Sequence, residues 1–146
     1  MLKNIAVAFI AVVLLSGCSS SVGKHTDNNK HIVEFERIIG DRIFFGLNSS
    51  SLTTEAQSTL MRQAEWLGNH KSFSIVIEGH CDERGTREYN IALGERRADS
   101  VKKFLVQKGV DVSRIDTISY GKERPAVIGN DGEAFAKNRR GVTAIR

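Results

Sequence analysis

The chain has 146 residues, 40% of them apolar and 26% charged, a balance that excludes intrinsic disorder and leaves room for one compact domain of about 100 to 120 residues. The formal net charge is only +4, and Glu83, Glu88, Glu95 and Asp99 are interleaved with the arginines. The basic stripe that a nucleic-acid binder would present is therefore missing.

Residues 1–17 begin with Met-Leu-Lys-Asn, followed by an apolar run from Ile5 to Leu15 and then Ser16-Gly17. That run is too short to span a bilayer, which takes about 20 apolar residues, so the segment is expected to be an export signal. Leu15-Ser16-Gly17-Cys18 resembles the bacterial lipobox, which implies cleavage before Cys18 and acylation of its thiol. Three acyl chains at about 0.8 kcal/mol per buried methylene would make attachment to a membrane effectively permanent. Ser19, where an Asp would retain the protein at the inner membrane, resembles the outer-membrane-sorted class. From Ser19 to Lys30 the composition is polar and aperiodic, so residues 18–30 are expected to form an acylated flexible tether and residues 31–146 the domain.

Within the domain, Arg42-Ile43-Phe44-Phe45 is a short β-rich run stopped by Gly46 and the Asn48-Ser-Ser-Ser51 cluster. Thr54-Glu55-Ala56-Gln57 has the form of a capping box, and Ala56, Leu60, Ala64 and Leu67 recur at helical spacing to about Gly68. Phe73, Ile75 and Ile77 alternate with Ser74, Val76 and Glu78, predicting a second strand into Gly79. After a glycine-bounded loop, residues 79–85, a long helix is expected from near Thr86 to Lys108, with Gly109 at its C′ position. Strands near Ile115 to Tyr120 and Val142 to Ile145 complete a β-α-β-α-β-(α)-β order. That order is expected to give an α/β two-layer sandwich with helices packed on a sheet.

Enzymatic chemistry finds little footing here. His80 and Cys81 are adjacent at a strand end and should point to opposite faces, which separates a thiol from its base. The nucleophile-elbow, zinc-protease and phosphate-loop motifs are all absent. The histidines at 25, 31, 70 and 80 include no i, i+4 pair, so neither a metal set nor a cofactor is expected. With Cys18 acylated, Cys81 would have no thiol to pair with, and it reads as a small buried residue.

Asp82 and Arg97 are the more informative pair. The apolar face of the long helix through Leu105, Phe104, Val101 and Ala98 continues through Arg97 to Leu93, which puts a guanidinium at the core's edge. Its anionic partner could be Asp82, as an internal ion pair pinning the loop, or a ligand carboxylate. In the second case an anion and a cation side by side would receive a zwitterion such as an amino-acid terminus. Spacing alone leaves both open.

The run from Glu78 to Ala98, with Gly79-His-Cys-Asp82 and Glu95-Arg-Arg-Ala98 inside it, resembles the peptidoglycan-associated lipoproteins of the Tol-Pal system. So do Ser119-Tyr-Gly-Lys-Glu-Arg-Pro-Ala126 and Lys137-Asn-Arg-Arg140; the group belongs among OmpA-like C-terminal domains. The resemblance covers roughly residues 40–146. It implies an OmpA-like domain with a mixed sheet, and a non-enzymatic lipoprotein on the periplasmic face of the outer membrane. Such a protein grips the diaminopimelate of the peptidoglycan stem peptide and serves envelope integrity and cell division. On this resemblance Asp82 and Arg97 hold the ammonium and carboxylate of diaminopimelate. Asn90, Leu93 and the backbone near Phe45 line the pocket, Asn138 and Arg139 are structural, and TolB is a further partner. One departure is visible: Gly46 follows Phe45 where the family usually has Asp.

Overall fold

A computed structural model describes residues 22–146, with side chains from Asp27 onward. The leader 1–17 and Cys18 lie outside the described residues. In chain order the elements are α1 (Val22–Glu34), a π-helical turn (Phe35–Gly40), β1 (Arg42–Phe44), α2 (Thr54–Asn69), β2 (Ile75–His80), α3 (Arg87–Gln107), a 3-10 turn (Val112–Arg114), β3 (Ile115–Gly121), α4 (Gly132–Asn138) and β4 (Arg140–Ile145). No helix among the described residues is long and apolar enough to cross a membrane.

The four strands form one mixed sheet in the order β1-β4-β2-β3. β2 and β3 are parallel, while β4 runs antiparallel to both β1 and β2. Alternating residues of β4 show how the helices lie: Gly141 meets Val101 of α3, and Thr143 Oγ1 donates to Gln63 Oε1 of α2 at 2.8 Å. Because i and i+2 share a face of a strand, α2 and α3 pack on the same side and the architecture is a two-layer sandwich. Leu60, Leu67, Ile75, Ile77, Ala98, Val101 and Leu105 form the core between the layers.

Contact between α3 and the sheet is backbone to backbone at one point. A Cβ added to Gly79 would lie 1.8 Å from the carbonyl oxygen of Gly94, and one on Gly94 would strike Ser119. Two glycines thus let α3 sink onto β2, which carries Arg97 down to the carboxyl end of that strand. At the other end of α3, Gly109 adopts φ +96° and closes the helix, as its position predicted.

Two expectations are corrected. The cap of α2 is Thr53, whose hydroxyl accepts from the Ala56 N–H at 3.1 Å, so the capping box written on Thr54 does not form. Helix α1 also occupies much of the stretch read as tether, and its end is part of the packed body. His31 lies edge-on to Trp66, and the fully buried Phe35 sits 5.0 Å from the same ring. Such tertiary contacts can hold a segment helical where composition argues weakly for it.

Candidate functional site

The carboxyl end of β2 runs into the loop 81–86, which the Thr86 cap of α3 terminates by accepting from Tyr89 N–H. Asn90, one turn into α3, is buried and spends its amide N–H groups on the carbonyls of Arg84 and Thr86, at 2.9 and 3.0 Å. The loop therefore has a fixed shape before any ligand arrives. His80 and Cys81 do face opposite ways. The imidazole lies toward Glu78 and Tyr120, whereas the thiol donates to the Asn90 carbonyl of α3. Burial pushes the Cys81 thiol pKa up, away from the thiolate a nucleophile needs.

Asp82 is the one buried carboxylate among the described residues. Burial alone would raise its pKa. The side chain and backbone of Arg84 and the side chain of Arg139 outweigh that and hold it below the usual carboxylate range. Arg84 makes a fork onto both oxygens, at 3.1 Å from Nε and 2.7 Å from Nη2, and its backbone N–H adds a third bond at 3.1 Å. Arg139 Nη1 lies 3.3 Å from Oδ2, and its Nε donates to the Phe45 carbonyl at 3.0 Å. Arg84 is 44% exposed and packs over the Phe135 ring, so it covers Asp82 from the solvent side.

Arg97 is fully buried, and Asp82 is not its direct partner. Its guanidinium donates to three backbone carbonyls: Ser49 at 2.9 Å, His80 at 2.8 Å and Gly46 at 3.1 Å. The direct Asp82–Arg97 ion pair is therefore corrected. The two groups still feel each other's charge, and the Phe45 ring lies 5.1 Å from the Arg97 guanidinium carbon. Burial lowers the Arg97 pKa, but from so high a starting point that the group stays cationic. Three of its five N–H donors are engaged by these carbonyls, and the Cys81 sulfur lies within hydrogen-bonding reach of the same guanidinium. Gly46, where the family usually has Asp, contributes its backbone carbonyl to Arg97.

Leu93 is buried but stands apart from the main core cluster, on the helical face between Asn90 and Arg97. All five residues singled out for the ligand thus surround the β2–α3 loop or the segment after β1. Arg84 and the ion-pairing role of Arg139 were missed. Arg84 offered an i, i+2 signal in the loop. Arg139 reaches Asp82 across most of the domain, which no local pattern discloses. Asn138 is structural: its side-chain oxygen accepts from Ala126 and Val127 N–H and its amide donates to Val127, stapling the loop before α4.

Elsewhere the fold assembles a donor set that histidine spacing did not suggest. One ring nitrogen each from His31 and His70 and a carboxylate oxygen of Glu34 lie within 4.8 Å of one another.

The OmpA family model matches residues 44–139, which include every residue of the Asp82 site. The peptidoglycan-associated lipoprotein of Mesorhizobium japonicum is 47% identical over 155 residues, covering 97% of this chain and 90% of that protein. The peptidoglycan-associated lipoprotein of Haemophilus influenzae is 40% identical over 148 residues, covering 97% and 96%. Among solved structures, the peptidoglycan-associated lipoprotein from Burkholderia pseudomallei superposes with a TM-score of 0.74 at 34% identity, over 78% of this chain and 98% of that one. The C-terminal domain of Helicobacter pylori MotB shares the fold, with a TM-score of 0.68 at 24% identity over 73% and 84%.

Proposed function

We propose that this chain, which belongs to the OmpA family and to its branch of peptidoglycan-associated lipoproteins, is a non-catalytic wall-binding lipoprotein whose ligand is the diaminopimelate of the stem peptide. The observation that carries the reading is the buried, ionised Asp82 beside the buried cation Arg97, at a loop rigid enough to present both. A buried carboxylate and a buried guanidinium held side by side without pairing directly are a suitable arrangement for receiving a zwitterion.

On this reading the ligand's ammonium takes the place of Arg84 on Asp82, while Arg139 stays as the second partner of that carboxylate. The ligand's carboxylate faces the positive charge of Arg97. Leu93 and the backbone around Phe45 form the wall, and Asn90 shapes the loop. Diaminopimelate carries this zwitterion at the end of its side chain, where lysine has an ammonium only.

Binding of the full-length chain, in detergent, to sacculi and to a diaminopimelate tripeptide tests the reading. Asp82→Asn keeps the size and an acceptor but removes the charge. Affinity should fall by about 30-fold or more, the scale for removing one partner of a buried charge pair, and a lysine tripeptide should bind at least as poorly. A folded Asp82→Asn protein that still binds like wild type would sink it.

Attachment to the outer membrane through acylated Cys18 is part of the same proposal, as is TolB as a second partner on the strength of the resemblance. TolB binding is checked by capture of the purified protein on the full-length chain, and no capture would remove TolB.

A further inference from the structure

His31 and Glu34 lie one turn apart on α1, and His70 caps the far end of α2. His31 Nδ1 is 3.6 Å from Glu34 Oε2, and the two imidazole centroids are 4.8 Å apart. We propose that these three side chains bind one divalent transition-metal ion of the zinc class, joining α1 to the end of α2.

Three observations beyond proximity point to a ligand. His31 Nδ1 is buried without a hydrogen-bond partner, which is costly for a ring nitrogen and would be relieved by a cation. His70 Nδ1 lies 2.8 Å from the Trp66 carbonyl. A carbonyl only accepts, so Nδ1 carries the proton and Nε2 keeps its lone pair, the arrangement that prepares histidine to ligate. The backbone of His70 is held as well, since Arg114 donates to the carbonyls of His70, Leu67 and Phe73.

Two nitrogens and one carboxylate suit zinc better than calcium or magnesium, which prefer all-oxygen shells. Tetrahedral ligands about 2.0 to 2.1 Å from zinc stand roughly 3.3 Å from one another. The donors, up to 4.8 Å apart, need to close by at most about 1.5 Å, and rotation of the half-exposed Glu34 supplies part of that. Three protein ligands leave the fourth position to water. The site shares no residue with the wall-binding site, and two of its three ligands sit on α1, between Cys18 and the sheet. Its occupancy would stiffen the join between the membrane-proximal segment and the domain.

Trp66 is the chain's single tryptophan and stacks on His70 with ring centroids 3.9 Å apart, so it reports on this site directly. The full-length chain in detergent, stripped with chelator, is titrated with zinc by calorimetry and with copper(II) by quenching of Trp66 fluorescence. One saturable equivalent is expected. Glu34→Gln, on the surface, should weaken it at least about tenfold and His70→Gln more than that, while Glu34→Gln leaves sacculus binding unchanged. Absence of saturable binding, or affinities within threefold of wild type in both variants, would overturn the proposal.

Discussion

Replacing Arg97 with Ala should destabilise the domain severely, apart from any effect on ligand. The guanidinium joins three backbone carbonyls that belong to two separate segments, Gly46 and Ser49 after β1 and His80 at the end of β2. Hydrogen bonds to a charged donor contribute about 1.5 to 3 kcal/mol each, and buried acceptors left alone are costly. The three are not additive, and Ala is relieved of burying a charge, so a loss of about 3 to 5 kcal/mol is expected, as for other broken buried ionic networks. Against a total stability of about 5 to 15 kcal/mol, that is about a fifth of the whole or more. Urea unfolding followed by Trp66 fluorescence and far-ultraviolet circular dichroism measures it. At a typical slope of about 2 kcal/mol per molar, the midpoint should drop by roughly 2 M. Arg97→Lys, with a compact ammonium unable to span three carbonyls, should fall between. A loss below about 1 kcal/mol in the Ala variant would refute this account of Arg97 as a bolt between the two segments. If the loss is as large as expected, failure of the Ala variant to bind the wall is uninformative, and Asp82→Asn becomes the variant that separates binding from folding.

Stability should also fall as the pH is lowered from 7 to 5. His80 is pushed down to about 4 by burial and then by Arg140, against an ordinary value of 6.5. Between those values the unfolded chain takes up a proton that the folded ring refuses, which amounts to about 2 kcal/mol lost by pH 5. Asp82, held below its ordinary 3.8, loses its contribution only at lower pH and does not confound the window. Urea midpoints at the two pH values, with His80→Asn as the flat control, check this, and equal midpoints in wild type would count against a neutral buried His80. For the anchor, Cys18→Ser should release the protein from the membrane fraction on cell fractionation; unchanged attachment would remove the lipobox reading.

The alternation of Phe73, Ile75 and Ile77 and the helical face from Leu105 back to Leu93 were legible because each is a local periodicity that one buried surface imposes. Asp82, Arg97, Asn90, Leu93 and Phe45 were legible as candidates through motif and face. What the sequence concealed was pairing. Arg97 could be placed at the core's edge, but its partners are carbonyls in a segment about fifty residues away, and backbone acceptors leave no trace in residue type. Asp82 has its nearest partner in Arg84, two residues on, and its second in Arg139, brought in only by the return of the chain through α4 into β4. Helix α1 was hidden for a related reason: His31 and Phe35 dock on Trp66, and polar composition around them conveys nothing of that contact.

The two charges of the site differ in how they are held, and the difference suits their proposed tasks. Arg97 is buried and triply bonded to backbone carbonyls, so the position of its charge is set by the fold. Asp82 is held chiefly by a half-exposed side chain from its own loop, which can leave without disturbing a strand or helix. A ligand ammonium that displaces Arg84 exchanges one ion pair for another, so Asp82 is never stripped of a counter-charge while buried. The displaced guanidinium moves into water, where an arginine is well solvated. On the proposed reading, a rigid cation and an exchangeable cover on the anion would together let a buried site stay stable when empty and still admit a charged guest. A ligand with the ammonium alone would repeat what Arg84 already does, and only one that also brings a carboxylate to Arg97 gains from the exchange.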